Sequence, residues 1–167
     1  NQTLKAAEFK DYAPNGLQIE GSTEVKRILC AVTASEDAID AAIAQNADLL
    51  LVHHGYFWKG EPYPITGMRG NRIKKLIQNN ISLVAYHLPL DAHPSLGNNI
   101  AIAEKLNLQN LEPLDLTEKH PIGNIGYLEQ ALSVEEFKAK LQNSFDFKVI
   151  HLPAEKQSIQ KVGFCTG

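Results

Sequence analysis

The segment Leu49 to Val52 is a run of four apolar residues with no polar residue between them. Such an unalternated run is typical of a strand that is covered on both faces, as in a parallel sheet. Similar runs rich in Val and Ile occupy residues 25–34 and 81–87. Helical patterns at 36–46 and 71–80 lie between these runs. This β-α-β-α-β order predicts an α/β fold with a mostly parallel sheet and helices on both of its faces.

The second half of the chain is less regular, and we expect it to belong to the same domain. The predicted elements there are strands at 122–130, 147–152 and 159–165 and a helix at 133–145. Ser133 and Glu136 have the spacing of a capping box at the start of that helix. We therefore predict one domain over residues 1–167, and the stretch 110–121 is the candidate seam between two lobes.

Charge and composition disfavour several classes of partner. The formal net charge of -3 gives no overall attraction to nucleic acid or to an anionic membrane. No apolar run approaches the ~20 residues that a membrane span needs, so we expect a soluble, cytoplasmic protein. Cys30 and Cys165 lie in separate strand-like runs, which predicts neither a disulfide framework nor a metal site of the CxxC type.

Four of the six histidines follow the apolar runs that we predict as neighbouring strands. His53 and His54 end one run, and His87 ends the next. Asp91 and His93 come just after His87. Because the carboxyl ends of parallel strands meet at one edge of a sheet, we expect these side chains to converge there.

Metal binding explains this cluster best. Successive side chains of a strand point to opposite faces, so His53 and His54 are predicted to bind two neighbouring ions, with Asp91 as a carboxylate ligand. Two bound metals would generate hydroxide from water. Three roles are open for His87: a metal ligand, a hydrogen-bond partner of a ligand, or a residue that orients the substrate. The remaining histidines are predicted to be hydrogen-bonded loop residues: His93, His120 and His151.

A basic cluster follows the histidine doublet. Arg69, Arg72 and Lys74 lie around the predicted start of a helix, where free backbone N–H groups favour an anion. One interpretation is that these side chains bind the phosphate of a substrate. The alternative is a solvated helix face.

Four segments carry a resemblance to a known family: "DYAPNGLQIEG", "LLLVHHGYFWKG", "YHLPLDAHPSLGNNIAIAEKL" and "KVGFCTG". In order and spacing they resemble the NIF-three-like dinuclear metal-binding proteins, which are known as GTP cyclohydrolase type 2 homologues. The resemblance implies an α/β sandwich subunit that assembles into a ring-like homohexamer. It also implies that His53 and His54 bind different metals and that Asp91 binds one of them.

Members of this family continue past the "CTG" segment into further α/β units, where a His-x-x-x-Glu motif supplies the remaining ligands. The sequence given ends at Gly167 with the "CTG" segment, and the one His-x-x-x-Glu spacing after Asp91, His151 to Glu155, comes before that segment. We therefore expect the chain to be incomplete at its C-terminus and to carry only part of the dinuclear site.

The resulting hypothesis is a metal-dependent hydrolase-like protein with GTP cyclohydrolase type 2-like activity on a nucleotide or another phosphate-bearing small molecule. It would need two divalent ions per complete subunit, and Zn, Fe, Mn and Mg fit equally well. His87 is the candidate catalytic residue, as a general acid or base that is not itself a ligand, and Glu61 is a second candidate for that role. The alternative is a metal-stabilised, ring-forming scaffold or interaction protein without turnover.

Overall fold

The computed structural model describes residues 2–153, 155 and 158–166. Two compact units make up the chain, Asn1–Leu90 and Asp91–Gly167. The division falls between Leu90 and Asp91, and the stretch 110–121 lies inside the second unit. No helix in the described part of the chain is long and apolar enough to cross a membrane.

The first unit is built on a four-stranded sheet with the order β1-β4-β3-β2. Its strands are β1 (Gly16–Ile19), β2 (Ile28–Thr33), β3 (Leu49–His54) and β4 (Ser82–Ala85). β3 pairs in parallel with both β2 and β4, as the apolar runs predict. β1 pairs antiparallel with β4 at the edge. The predicted α/β class is confirmed, and the sheet is mixed because of this one edge strand.

Two helices cover one face of this sheet: α1 (Glu36–Ala44) and α2 (Gly67–Gln78). Their buried side chains join alternate residues of β3 and β4 in one core, which includes Ile39, Ala42, Ile73, Leu76, Leu50, Val52, Leu83 and Ala85. The opposite face carries the exposed side chains of Leu17, Ile28 and Val32. Within this unit, therefore, the helices share one face and are not divided between two.

The helix boundaries follow local chemistry. Ser35 caps α1 as its side chain accepts a hydrogen bond from the backbone N–H of Ala38, at 3.2 Å. α2 begins four residues earlier than the pattern at 71–80 predicts. Gly67 and Gly70 in its first turn are poor helix formers, so the sequence pattern does not indicate that turn. A short 3-10 helix covers Ala6–Glu8 before β1.

The second unit has an antiparallel sheet with the order β5-β6-β7. Its elements are α4 (Asn98–Leu106), β5 (Gln109–Pro113), β6 (Asn124–Ser133), α5 (Val134–Phe145) and β7 (Ser158–Phe164), and a one-turn helix, α3 (Leu88–Asp91), precedes them. Ser133 and Glu136 form the predicted capping box of α5. The strand predicted at 147–152 is wrong: these described residues pair with no strand, and Ile150 and Leu152 are exposed.

Candidate metal centre

Three histidines meet at the carboxyl edge of the first unit's sheet. His53 and His54 are the last residues of β3, and His87 lies two residues beyond β4. Because these strands are adjacent and parallel, their ends bring the rings together. The ring centroids are 4.4 Å apart for His53 and His54, 5.0 Å for His53 and His87, and 5.6 Å for His54 and His87. The predicted convergence is confirmed for these three residues.

The cluster has the composition of a metal site. One ring nitrogen from each of His53, His54 and His87 lies within 4.8 Å of the other two. Imidazole nitrogen is a common ligand of Zn, Fe, Cu and Ni in proteins. The residues therefore fit a divalent transition metal. This spacing suits one ion held by three rings as well as two neighbouring ions, so the number of ions stays a prediction.

Oxygen atoms hold the rings of the doublet at Nδ1. His53 Nδ1 lies 2.9 Å from the backbone oxygen of Tyr86. A carbonyl oxygen only accepts, so we assign the proton of this ring to Nδ1 and its lone pair to Nε2. His54 Nδ1 lies 3.2 Å from Thr33 Oγ1, a hydroxyl that can donate or accept. Histidines that bind metals usually have their second nitrogen held in this way.

His87 has a carboxylate at the same position. Its Nδ1 lies 2.8 Å from Asp11 Oδ1, and the two side chains are only 11% and 3% exposed. Burial by itself raises the pKa of Asp11, but hydrogen bonds from His87, Asn15 and the backbone N–H groups of Leu88 and Tyr12 outweigh it and lower the pKa below 3.8. Asp11 is therefore ionised at neutral pH and accepts the Nδ1 proton. Asp11 was not among the predicted site residues, although it lies in the "DYAPNG" segment.

The residues after the doublet place an indole against the cluster. The ring of Trp58 packs edge-on to that of His87, with centroids 4.8 Å apart, and its Nε1 donates to the Gly55 oxygen at 3.1 Å. A Cβ at Gly55 would lie 2.8 Å from the Ala85 Cβ and 2.2 Å from Gln18 Oε1. Only glycine fits at that position, which explains why the doublet is followed by Gly55.

Asp91 belongs to the second unit, where its side chain is fully buried. Its Oδ1 accepts hydrogen bonds from Asn98 Nδ2 at 2.8 Å and from Thr166 Oγ1 at 2.7 Å. These contacts fix the orientation of the carboxylate, and its role as a metal ligand stays a prediction. In the same unit, His93 accepts two backbone N–H groups through Nδ1, as predicted for a loop histidine.

Arg69 organises the loop between β3 and α2. Its guanidinium donates to Glu61 Oε2 at 2.6 Å, to the Pro62 oxygen at 2.5 Å and to the Pro64 oxygen at 2.9 Å. Glu61 Oε2 also accepts the backbone N–H of Trp58 at 3.1 Å. A phosphate would have to exchange with these partners, so phosphate binding by Arg69 stays a prediction.

The other basic side chains of α2 differ in their exposure. Arg72 Nε lies 3.6 Å from a carboxylate oxygen of Glu36. Lys75 pairs with Glu36 and also with Asp40, at 2.6 Å from the latter. Lys74 is exposed. Part of the predicted phosphate cluster therefore joins α2 to α1, and Lys74 is the member that most resembles a solvated charge.

Curated relatives match the whole chain. It is 47% identical over 169 residues to the GTP cyclohydrolase 1 type 2 homolog of Haemophilus influenzae, and the match covers 100% of this chain and 66% of that protein. It is 48% identical over 171 residues to the protein of the same name from Vibrio cholerae, covering 100% of this chain and 67% of that protein. The chain thus spans about two thirds of the length of these relatives.

Solved structures show the same fold. Protein ybgI, described as of unknown function, superposes with a TM-score of 0.92 at 40% identity, over 100% of this chain and 66% of that one. A protein from Thermus thermophilus superposes with a TM-score of 0.85 at 32% identity, over 99% of this chain and 66% of that one. The family model of Duf34/NIF3 (NGG1p interacting factor 3) matches residues 1–167. The chain therefore belongs to the Duf34/NIF3 family.

Proposed function

We propose that this chain supplies part of a dinuclear metal site in a metal-dependent hydrolase-like protein with an activity like that of a GTP cyclohydrolase type 2. The observation that supports this most is the cluster of His53, His54 and His87, whose ring nitrogens lie within 4.8 Å of one another. The name of the Haemophilus and Vibrio relatives supports a nucleotide or another phosphate-bearing small molecule as the substrate. The activity would belong to the complete protein.

The chain's own ligands in this proposal are His53, His54 and Asp91. Two divalent ions per complete subunit would be held, and Zn, Fe, Mn and Mg are all candidates. Bound ions would supply Lewis acidity, which makes water acidic enough to act as a nucleophile near neutral pH. The Nδ1 contacts of His53 and His54 would keep these rings in place before any ion arrives.

His87 would move the proton. With Nδ1 protonated toward Asp11, the ring has its lone pair on Nε2 and can accept a proton there from the attacking water. Trp58 lies edge-on to this ring and helps to keep solvent from it, since His87 is only 9% exposed. Arg69, Arg72 and Lys74 would then attract the phosphate of the substrate, with Lys74 the most accessible of the three.

The test is a turnover assay on the full-length protein, stripped of metal and then loaded with Zn, Fe, Mn or Mg. GTP is the first substrate, and product release is followed by chromatography. We expect turnover only with metal, and we expect His87→Ala to lower kcat by about 10²- to 10⁴-fold. Trp58 lies 4.8 Å from His87, so a fluorescence change that Trp58→Phe abolishes reports ligand binding independently.

The outcomes of this test distinguish the hydrolase hypothesis from the scaffold hypothesis. Metal-dependent turnover that falls in His87→Ala supports the hydrolase. Metal binding without turnover of any nucleotide tested favours the scaffold that the sequence leaves as the alternative. Absence of metal binding by a folded, full-length protein would refute both.

We further propose that the complete subunit self-associates in the cytoplasm into a ring-like homohexamer. The family membership supports this proposal. Light scattering on the full-length protein should give about six times the subunit mass, a size set by the family resemblance. A monomer at micromolar concentration would contradict it.

A further inference from the structure

The "DYAPNG" segment contributes two side chains that the proposed chemistry does not yet use, Asp11 and Asn15. Asp11 has a side chain that is only 3% exposed, although it lies in a loop before β1. Its carboxylate contacts His87, which is 76 residues away in sequence. A buried carboxylate in a loop needs several donors to offset the loss of its hydration.

Both oxygens of Asp11 are fully used. Oδ1 accepts from the backbone N–H of Tyr12 at 2.6 Å and from His87 Nδ1 at 2.8 Å. Oδ2 accepts from Asn15 Nδ2 at 2.8 Å and from the backbone N–H of Leu88 at 2.9 Å. Three of these four donors cannot act as acceptors. The site is therefore built for an acceptor, and a donor at position 11 would face other donors.

Asn15 contacts both His87 and Asp11. Its Oδ1 accepts the backbone N–H of His87 at 2.8 Å, while its Nδ2 donates to Asp11. The loop thus holds His87 by the backbone and by the ring together. Such a double contact fixes both the position of the residue and the nitrogen that carries the ring proton.

We propose that Asp11 is the positioning residue of His87: together with Asn15 it holds the ring with its proton on Nδ1 and keeps the lone pair on Nε2. This inference deepens the proposed function and rests on it only for the kinetic part of its test. A carboxylate on Nδ1 sets the tautomer of a catalytic histidine in the same way in other enzymes.

Replacing Asp11 by Asn should place the new amide in one preferred orientation. If the amide oxygen takes the place of Oδ2, Asn15 and Leu88 keep their acceptor, and only the Tyr12 N–H, which is near solvent, loses its partner. The amide NH₂ then faces His87 Nδ1. The opposite orientation loses the acceptors of both Leu88 and Asn15, so it is the less stable one.

In the favoured orientation the ring of His87 must accept at Nδ1, and its proton moves to Nε2. The lone pair that the proposed proton transfer uses is then lost. We therefore expect Asp11→Asn to change the tautomer of His87 while leaving His53 unchanged, because the latter ring is held by the Tyr86 oxygen.

The experiment is ¹⁵N NMR of the histidine side chains in the metal-free, full-length protein. Wild type should show His87 with the proton on Nδ1, and Asp11→Asn should show it on Nε2. Asp48→Asn is the matched control, since Asp48 also accepts two backbone N–H groups in the first unit, those of Lys26 and Arg27. Its spectrum should keep the wild-type tautomer.

A wild-type His87 ring that carries its neutral-state proton on Nε2 would overturn the proposal. This measurement needs no variant, so the proposal can be tested even if Asp11→Asn does not fold. A folded Asp11→Asn protein that keeps the Nδ1 proton overturns it as well. If the wild type turns over substrate, Asp11→Asn should lower kcat about 10- to 100-fold with little change in KM, and it should have no further effect in His87→Ala. Absence of turnover in wild type would refute the proposed function and leave the tautomer result to decide this inference.

Discussion

The two units hold their ligand-type side chains in different ways. In the first unit, His53 and His54 are partly exposed and His87 is buried, and each ring has one oxygen partner at Nδ1. In the second unit, the carboxylate of Asp91 is fully buried, and a single oxygen accepts from both Asn98 and Thr166.

This difference decides what happens when a partner is removed. Water can replace the hydroxyl of Thr33 beside His54, because that contact lies at an exposed position. Water has no such access to the buried carboxylate of Asp91, so a lost partner there leaves an incompletely satisfied charge. The exposed contact of His54 should therefore tolerate the loss of its partner, and the buried contacts of Asp91 should not.

The largest expected effects come from the ligands themselves. His53→Ala and His54→Ala in full-length protein should each remove or greatly weaken one metal, because an alanine has no donor atom. Two separate ions would be lost one at a time, whereas a shared ion would be lost in both variants. Elemental analysis of metal per subunit measures this, with exposed His151→Ala as the unaffected control. A folded wild type that binds no divalent metal would contradict metal binding by the doublet.

Asp91→Asn tests whether the second unit contributes a ligand at all. A neutral amide is a far poorer ligand for a divalent metal than a carboxylate, so this variant should lose the same ion as His54→Ala if both residues bind it. Metal content is again the measurement. Full metal occupancy in a folded Asp91→Asn protein would exclude Asp91 from the ligands.

Local patterns were sufficient to predict the histidine cluster. The apolar run that ends in His54 predicts β3, and the next run predicts β4 and places His87 just beyond it. Parallel pairing of adjacent strands then brings their ends together, so no long-range information is needed. The helical pattern at 36–46 likewise predicted α1.

The supporting contacts could not be predicted, because they join distant parts of the chain without any periodic pattern. Asp11 lies 76 residues from His87, and Thr166 lies 75 residues from Asp91. The antiparallel direction of β1 depends likewise on its pairing with β4. Residues 147–152 have a sequence suited to a strand, but β propensity does not decide pairing when the side chains remain exposed.

A matched pair of threonines sharpens the comparison of the two units. If Asp91 binds a metal, Thr166→Val should weaken that binding about tenfold, because it removes a donor to the buried carboxylate. Thr33→Val removes a similar contact to His54, but water can replace it, so its effect should be smaller. Isothermal titration with Zn²⁺ compares the two variants, and Thr166→Ser should retain most of the affinity. Equal losses in both valine variants would contradict the proposed difference.

The basic cluster of the first unit should give a smaller effect. Replacing Arg69, Arg72 and Lys74 together by Ala is expected to weaken the binding of nucleotide phosphates by ~1 kcal/mol and to reduce its salt dependence. Arg69 also holds the loop before α2, so its loss could change the structure as well as the charge. Lys74→Ala alone removes a charge without removing these loop contacts. Lys26→Ala, at an exposed position of the same unit, is the control. Unchanged nucleotide binding in the triple variant would favour the alternative, in which these side chains form a solvated helix face.

The smallest expected effect compares the two serine caps, one in each unit. Ser35 accepts the backbone N–H of Ala38, whereas Ser133 also donates to the carboxylate of Glu136 through its side chain and its backbone N–H. At neutral pH either serine-to-alanine change should cost about 1 kcal/mol of helix stability. Amide hydrogen exchange measures each helix separately.

The stability costs of the two serine-to-alanine changes should differ at acidic pH. The hydrogen bonds from the Ser133 side chain and backbone lower the pKa of Glu136 below its ordinary 4.5. A carboxyl with a lowered folded-state pKa stabilises the helix above its unfolded-state pKa, and this contribution is lost as the pH falls through the folded-state value. The cost of Ser133→Ala should therefore shrink in acid, because the protonated Glu136 of wild type no longer supports the box. The cost of Ser35→Ala should stay constant, since α1 has alanine in the equivalent third position. Parallel pH dependences in the two helices would show that the carboxylate adds nothing to the cap of α5.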